Sequence, residues 1–203
     1  IRNLNRIPLS MHIKYILIIL GEPYSTFSEI VGKFFTKKKK IKKKIILIGD
    51  KNLLNKQLKK LNYNFNMNEI YNIEEAKINV VNIINIKFNY KKIYSEISNK
   101  SNKYIKSCFD KALSIVKEKR NECILINGPI SKKTFLKKQY LGITEYLAKK
   151  TNSKDEIMLI YNEELSVSPL TTHIPIKYVA KKITAKKIKK NIIKLNSFYK
   201  RLF

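Results

Sequence analysis

The sequence predicts an α/β fold with a mostly parallel sheet and helices on both of its faces. Short continuous apolar runs alternate with segments of helical periodicity along the chain, and this alternation is typical of strands that are buried between two layers of helices. Hydrophobic residues make up 44% of the 203 residues, which is enough for an ordinary core. No apolar run approaches the roughly 20 residues that cross a bilayer, so we expect no membrane partner.

The first half of the chain has three predicted strands. Residues 13–20 form the first strand, and a helix that Ser25 or Thr26 caps follows it to about residue 35. Residues 45–49 form the second strand, and Asp50 is a good N-cap for a helix that ends near residue 61. The Asn-rich region 62–95 is weakly patterned and predicts only one strand, over residues 80–86.

The second half continues the alternation. A helix over about 99–119 places six residues on one face: Tyr104, Ile105, Cys108, Ala112, Ile115 and Val116. A strand at 123–127, a Gly128-Pro129 turn, a short helix capped by Ser131 and a helix starting at Thr144 follow. We expect strands at 157–161 and 165–170, and a final helix over 184–203 whose apolar stripe is left exposed in this chain. The stripe comprises Ile188, Ile192, Leu195, Tyr199 and Leu202.

The charge of the chain is strongly positive, but its composition argues against specific nucleic-acid binding. Lys and Arg together number 43 against 15 Asp and Glu, for a net charge of +28. Nearly all the basic residues are Lys, whereas Arg is the residue that makes bidentate contacts with phosphate and guanine. We interpret the lysines as a solvated surface. The two cysteines are too few for a disulfide framework, and we expect reduced thiols in a cytoplasmic protein.

Four polar motifs follow predicted strands, where open α/β sheets bind their ligands. Residues 21–23 (Gly-Glu-Pro) alone indicate a tight turn. Residues 127–132 (Asn-Gly-Pro-Ile-Ser-Lys) fit either an anion site at a helix N-terminus or an ordinary capped helix. Thr144 can cap a helix or offer its hydroxyl to a ligand, and His173 can ligate a metal, although a lone His seldom does. The chain has no glycine-rich phosphate loop and no zinc-type spacing of Cys and His.

The order and spacing of these motifs resemble the 4-hydroxythreonine-4-phosphate dehydrogenase family of pyridoxal phosphate biosynthesis. The similar segments are Gly-Glu-Pro at 21–23, Ile-Leu-Ile-Gly-Asp at 46–50, the 127–132 motif, Gly-Ile-Thr-Glu-Tyr-Leu-Ala at 142–148 and Leu-Thr-Thr-His-Ile-Pro at 170–175. The resemblance covers about residues 11–203 and implies the fold shared with isocitrate and isopropylmalate dehydrogenases. It further implies that residues 11–203 form the N-terminal part of one dehydrogenase domain, truncated at its C-terminus. Met11 directly before the first apolar run indicates a natural start, so we expect residues 1–10 to be a poorly structured extension; the charged region of a signal peptide is the alternative.

The resemblance implies an NAD-dependent oxidation of the C3 hydroxyl of 4-phosphohydroxy-L-threonine, followed by decarboxylation. A divalent ion, zinc, magnesium or cobalt, would polarise that hydroxyl. His173 matches the first of three metal-binding histidines of the family, and Thr144 matches a substrate-contacting threonine. The implied partners are a small phosphorylated amino acid and, at full length, a second copy of the chain.

Two departures from the family keep other functions open. Ile143 stands where the family has a substrate-contacting histidine, and the second and third metal histidines have no match in the chain. We therefore expect the chain alone to be inactive. The alternatives are a degenerate paralogue that binds a phosphorylated ligand without chemistry and, less favoured by the Arg scarcity, a basic nucleic-acid-binding protein.

Overall fold

The computed structural model describes residues 13–37, 41–119, 122–137, 139–153, 156–162 and 164–202, without the side chains of 201 and 202. The expected extension at residues 1–10 lies outside this part of the chain. The described residues fall into two compact units, one within His12–Lys138 and one within Gln139–Phe203. We refer to them as the sheet unit and the C-terminal unit.

The sheet unit is built on five parallel strands. They are β1 (Tyr15–Ile19), β2 (Lys44–Gly49), β3 (Met67–Glu69), β4 (Val81–Asn85) and β5 (Cys123–Asn127). Their order across the sheet is β3-β4-β2-β1-β5, and every pairing is parallel. The predicted α/β class with a parallel sheet is thus confirmed, since the apolar runs at 13–20, 45–49, 80–86 and 123–127 each form a strand.

Helices cover both faces of this sheet. Helices α1 (Phe27–Thr36) and α2 (Lys51–Lys60) pack in one apolar cluster with Leu47 of β2 and Ile83 of β4. Helix α3 (Asn102–Glu118) contacts β1, β2 and β5. Successive residues of a strand point to opposite faces, and Ile46 and Ile48 are as fully buried as Leu47. Both faces of β2 are therefore shielded from water, as its unbroken apolar sequence predicts.

Asp50 joins β2 to α2 as the predicted N-cap. Its Oδ1 accepts a hydrogen bond from the amide of Leu53 at 2.7 Å, and its Oδ2 accepts one from the amide of Phe88 at 2.7 Å. The second bond crosses from α2 to the segment that follows β4. One buried carboxylate thus satisfies two backbone donors that water cannot reach.

The short edge strand β3 is the element of the sheet that the pattern misses. It has only three residues, none of them fully buried. It is held beside β4 partly by an amide–amide hydrogen bond from Nδ2 of Asn68 to Oδ1 of Asn82 at 3.0 Å. Asn82 is fully buried and its Nδ2 donates to the carbonyls of Ile45, Lys77 and Val80. Asparagines are depleted in strands, so hydrophobic periodicity cannot reveal this pairing.

A single turn replaces the short helix predicted after Ser131. The Ser131 hydroxyl accepts a hydrogen bond from the amide of Thr134 at 3.2 Å, so the predicted cap forms. The Thr134 carbonyl accepts a hydrogen bond from Nδ2 of Asn102 at 2.9 Å. This bond joins the turn to α3.

The C-terminal unit contains helices and almost no sheet. Its helices are α4 (Ile143–Lys150), α5 (Val179–Lys182) and α6 (Ala185–Leu202). The strands predicted at 157–161 and 165–170 are wrong: within the described residues they meet only in one antiparallel bridge, between Ile160 and Val167. Two short segments without further strands beside them bury too little apolar surface to form a stable sheet.

Much of the apolar stripe of α6 is exposed, as predicted. Ile188 and Ile192 are 37% and 59% exposed, and Ile193 and Phe198 add to the exposed surface. Leu195 and Tyr199 are half-buried, and the side chain of Leu202 is outside the described part of the chain. No helix in the described ranges combines the length and apolarity of a membrane span.

Both cysteines are free. Cys108 is buried on α3 and Cys123 is half-buried in β5. Burial raises the pKa of the Cys108 thiol to about 12 and that of Cys123 to about 11. Neither is a thiolate at neutral pH, so both behave as small apolar side chains.

Candidate functional site

The first two motifs meet at the carboxyl ends of β1 and β5. Strand β1 has β2 on one side and β5 on the other, which makes it the point where the strand order reverses and a crevice opens in this class of sheet. The amide of Glu22 donates to the carbonyl of Pro129 at 2.8 Å, and the amide of Gly128 donates to that of Ile19 at 2.7 Å. Gly21 has φ +72°, and a Cβ there would lie less than 3.0 Å from the carbonyl oxygen of Pro129. Only glycine therefore fits at position 21, where the loops that follow β1 and β5 are in contact.

Glu22 is a buried carboxyl that the sequence pattern presented only as part of a turn. It is 2% exposed, and its Oε2 accepts a hydrogen bond from the Ser101 hydroxyl at 2.8 Å. Its Oε1 is buried without a hydrogen-bond partner among the described residues. Burial raises the pKa of Glu22, and the hydrogen bonds from Ser101 and Tyr24 offset only part of that rise. A charged residue between Gly and Pro directly after an apolar strand is the pattern that points to it.

The second motif does not form the anion site that was one of its two interpretations. Ser131 opens a single turn, and one turn lacks the aligned peptide dipoles that attract a phosphate. Lys132 is exposed. The alternative, an ordinary capping role for Ser131, agrees with the structure.

The third and fourth motifs share a cavity of about 540 Å³ in the C-terminal unit. Thr144 at the start of α4 lines it, together with Thr171 and Thr172. Four lysines line it as well, namely Lys182, Lys186, Lys187 and Lys190. Its two acidic lining residues are Glu145 and Glu156, so positive charge is in excess by two. Hydroxyl groups and ammonium groups on one wall are donors suited to an anionic, oxygen-rich ligand.

His173 lies beside this cavity and does not line it. Its neighbours Thr172 and Ile174 are lining residues, whereas His173 itself is exposed. Its φ of +55° is in the left-handed region, which is uncommon for a residue with a Cβ and recurs at functional sites. Ile143, in the place of the family histidine, is half-buried and is absent from the cavity wall.

The described residues do not form a metal centre by themselves. No group of three or more His, Cys, Asp or Glu side chains comes together among them, whereas a catalytic metal site uses about three protein ligands. The predicted ligand His173 thus belongs to no such group of three in the described ranges.

These features define an α/β protein with its polar motifs clustered at the ends of parallel strands and around one basic cavity. The model of the family "Pyridoxal phosphate biosynthetic protein PdxA" matches residues 41–203. The chain belongs to this family.

Named relatives and a solved structure agree with this assignment. The chain is 30% identical over 188 residues to a 4-hydroxythreonine-4-phosphate dehydrogenase of Sulfurihydrogenibium, covering 92% of this chain and 58% of the relative. It is 27% identical over 198 residues to a Fusobacterium nucleatum protein provisionally named D-threonate 4-phosphate dehydrogenase, with coverage of 92% and 58%. The crystal structure of a 4-hydroxythreonine-4-phosphate dehydrogenase from Burkholderia phymatum superposes with a TM-score of 0.76 at 19% identity, covering 91% of this chain and 58% of that one.

The chain thus spans rather more than half the length of these relatives. The resemblance based on the five motifs is confirmed, and so is the α/β fold that it implies, the fold shared with isocitrate dehydrogenases.

Proposed function

We propose that the chain forms the substrate-holding part of a cytoplasmic dehydrogenase that oxidises and decarboxylates 4-phosphohydroxy-L-threonine with NAD. The observation that carries the proposal is the cavity of the C-terminal unit, where Thr144 and the 170–175 motif converge on four lysines. Membership of the PdxA family supplies the reaction class. In the whole protein we expect a longer chain and a homodimer.

The lysines are the groups that fit the phosphate of such a substrate. Lys186 and Lys190 are four residues apart on α6, so they lie on the same helix face. Ammonium groups hold a phosphate as point charges with rotatable donors. Their attraction is screened by salt because they are exposed, so substrate binding should weaken as ionic strength rises.

The threonines orient the ligand while the lysines hold its charge. The Thr144 hydroxyl stands near the N-terminus of α4, and it can donate to or accept from a substrate hydroxyl. A substrate held both at its phosphate and at a hydroxyl group has a fixed orientation in the cavity. Such positioning contributes to rate by lowering the entropy lost in reaching the transition state.

His173 is proposed as one ligand of a divalent metal, in accord with its match to the family motif. The described residues do not complete a set of three ligands around it, so the roles proposed for this chain are those of its own lysines and threonines. The chain likewise has no glycine-rich dinucleotide loop, and none of its residues is proposed as an NAD contact.

Ile143 supports a second candidate function, a paralogue that binds the phosphorylated ligand without chemistry. Isoleucine neither donates a hydrogen bond nor carries a proton, and this one does not reach the cavity wall. The substrate contact of the family histidine would then be lost, while the lysines and threonines would still bind ligand.

The test compares binding with turnover. We expect the 203-residue chain to bind 4-phosphohydroxy-L-threonine by calorimetry and to form no NADH. The protein encoded by the whole gene should form NADH from the same substrate, and His173→Ala in it should abolish both turnover and the dependence on added divalent metal. Binding without turnover by the whole gene product would favour the paralogue, and the absence of binding would refute both functions.

A further inference from the structure

The Ser101 hydroxyl lies within hydrogen-bond distance of two acceptors but carries only one hydrogen. Its Oγ is 2.8 Å from Oε2 of Glu22 and 3.0 Å from the carbonyl oxygen of Ser98. The Ser98 carbonyl also accepts from the Ser101 amide, over a longer distance of 3.4 Å. A hydroxyl group donates a single hydrogen bond. An ionised Glu22 can only accept, so the hydroxyl of Ser101 cannot serve both oxygens.

A proton on Glu22 supplies the missing hydrogen. A protonated carboxyl group donates one hydrogen bond. With the proton on Oε2, Glu22 donates to Oγ of Ser101, and Ser101 in turn donates to the carbonyl of Ser98. Each of the two contacts then holds one hydrogen, and both distances are in the range of O–H···O bonds. The bond between Ser101 and Glu22 has the opposite direction in the ionised form.

The second oxygen of Glu22 also favours the neutral acid. Oε1 is buried and has no hydrogen-bond partner among the described residues, and Glu22 and Ser101 are only 2% and 1% exposed. An ionised carboxylate shares its charge between both oxygens, so Oε1 would be a buried charged atom without a donor. Such an atom is much less favourable than an unpaired neutral carbonyl oxygen in the same place.

The groups that face Glu22 do not offset a negative charge on it. Asp50 at the start of α2 lines a small cavity of about 20 Å³ together with Glu22. Both oxygens of Asp50 accept amide hydrogen bonds, as those of a carboxylate do, and a second negative charge at the same cavity is disfavoured. No Lys, Arg or His is among the described residues that line it. Helix α1 contributes Phe27 and Ser28, which carry no charge.

Two tyrosines complete the surroundings of Glu22. Tyr104 of α3 lines the same cavity, and Tyr24 follows Glu22 in its own loop. Burial raises the pKa of both phenols above the ordinary value of 10, so neither adds a charge in acidic or neutral solution. The backbone amide of Tyr24 favours an ionised Glu22, but burial outweighs it and raises the pKa of that carboxyl group.

We propose that Glu22 is protonated in the folded protein and that its proton ties the loop after β1 to the start of α3, in a link that a rise in pH breaks. We call the hydrogen-bond chain from Glu22 through Ser101 to Ser98 the acid link. The amide of Glu22 also donates to the carbonyl of Pro129 in the loop after β5. The acid link therefore joins α3 to the point where the strand order reverses. It lies in the sheet unit and does not depend on the function proposed for the cavity of the C-terminal unit.

Loss of the proton should loosen the loop over a defined range of pH. When the loop opens, water reaches Glu22, and its pKa returns to the ordinary value of 4.5. The opening equilibrium should therefore rise about tenfold per pH unit from 4.5 to the raised pKa of the closed form. Above that pKa it should stay constant, because both forms are then ionised.

Carbon-13 NMR of the chain, labelled at its glutamate carboxyl groups, measures the ionisation of Glu22 directly. The Glu22 signal, identified by its loss in Glu22→Gln, should have a titration midpoint above 4.5. Glu69 is an internal control of opposite sign. Its two oxygens accept hydrogen bonds from Lys51 and Asn85, and these bonds lower its pKa below 4.5. If Glu22→Gln does not fold, through-bond assignment of the wild-type spectrum identifies the same signal.

Amide hydrogen exchange measures the opening of the loop. The amides of Glu22 and Ser25 donate to the carbonyls of Pro129 and Glu22, respectively. Their exchange rates, divided by the intrinsic hydroxide-catalysed rates, give the opening equilibrium. Glu22→Gln keeps the shape and has a donor at every pH, so the tenfold rise per pH unit should disappear. Glu96→Gln, at an exposed position, should behave as the wild type does.

Each measurement can overturn the inference. A Glu22 midpoint at or below 4.5 would show that the carboxyl group is ionised in the fold. A midpoint above 4.5 with a constant opening equilibrium, or with the same rise in Glu22→Gln, would show that the proton does not hold the loop. Ligand binding by the C-terminal unit is a separate measurement, so these outcomes leave the proposed function in place.

Discussion

The two units of the chain bury their apolar residues to very different degrees. In the sheet unit, Leu17, Ile46 and Ile83 are fully shielded from water between two layers of helices. In the C-terminal unit, Ile160, Leu165 and Ile192 are each about 60% exposed or more. The sheet unit has five paired strands, whereas the described part of the C-terminal unit has one isolated bridge.

The sheet unit contains the buried core that stabilises the fold, whereas the C-terminal unit contains the cavity to which we assign ligand binding. In the sheet unit, the buried polar side chains of Asp50 and Asn82 have hydrogen-bond partners within the unit. In the C-terminal unit, four lysines and several threonines line an open cavity. Binding sites commonly lie in the less rigid segments that a stable scaffold carries, and the cavity to which we assign ligand binding lies in the C-terminal unit.

The largest effect is expected for core truncation in the sheet unit. Leu17→Ala removes a fully buried side chain from β1 and should lower the free energy of unfolding by about 3 kcal/mol. Ile192→Ala, at a 59% exposed position of α6, should change it by no more than about 0.5 kcal/mol. Chemical denaturation followed by circular dichroism measures both, and similar losses would contradict the contrast between the units.

Removal of a helix cap in each unit should give a smaller difference in the free energy of unfolding. Asp50→Ala removes the acceptors of two buried amides, those of Leu53 and Phe88, and should cost about 2 kcal/mol. Thr184→Ala removes one exposed bond to the amide of Lys187 and should cost about 0.5 kcal/mol. Asp50→Asn is the control, since it retains one acceptor. A larger loss from Thr184→Ala would show that α6 contributes more to stability than its exposure indicates.

The Thr144 hydroxyl should contribute one neutral hydrogen bond to the ligand. Thr144→Val preserves shape and should weaken binding of 4-phosphohydroxy-L-threonine about fivefold, which corresponds to about 1 kcal/mol. Thr151→Val lies at the other end of the same helix, where its hydroxyl bonds the Leu147 carbonyl, and should leave binding unchanged. Calorimetry on the two variants measures this difference, and equal affinities would remove Thr144 from the site.

The smallest effect concerns the pH dependence of stability through Glu22. Its pKa is raised in the folded state above the ordinary value of 4.5, so the folded state binds the proton more tightly. Stability from this group is therefore full below pH 4.5, falls as pH rises from 4.5 toward the raised pKa, and is constant above it. Glu22→Gln removes this fall, so its stability relative to wild type should increase over that window.

Denaturation midpoints measured from below pH 4.5 to neutrality test this sign. Glu96→Gln, at an exposed position, provides the matched control and should show no such trend. A relative stability of Glu22→Gln that declines with rising pH would contradict the assignment of Glu22 as a buried carboxyl with a raised pKa.

Most of the sheet unit was predictable because its strands are buried on both faces. Unbroken apolar runs at 13–20, 45–49 and 123–127 are direct consequences of that burial. The edge strand β3 was missed since its Asn-rich pairing depends on Asn82, a residue further along the chain. The strands expected at 157–161 and 165–170 were wrong because local apolarity does not provide a partner strand.

The candidate site was predictable in its parts but not in its assembly. Thr144 and the 170–175 motif were recognisable as motifs, and the structure places Thr144, Thr171 and Thr172 around one cavity. The lysines of α5 and α6 were indistinguishable from the rest of a lysine-rich surface.

The sequence by itself determined the α/β class, the cap of α2 and the family, because periodicity, capping and motif order are local properties of the chain. Only the tertiary structure decided that Glu22 is buried and that lysines of α5 and α6 line one cavity with Thr144. Both depend on contacts between residues distant in sequence: Ser101 with Glu22, and α6 with α4 around the cavity. Burial and electrostatic interactions depend on which residues are close in space. Sequence patterns reveal only the interactions between residues that are close in the chain.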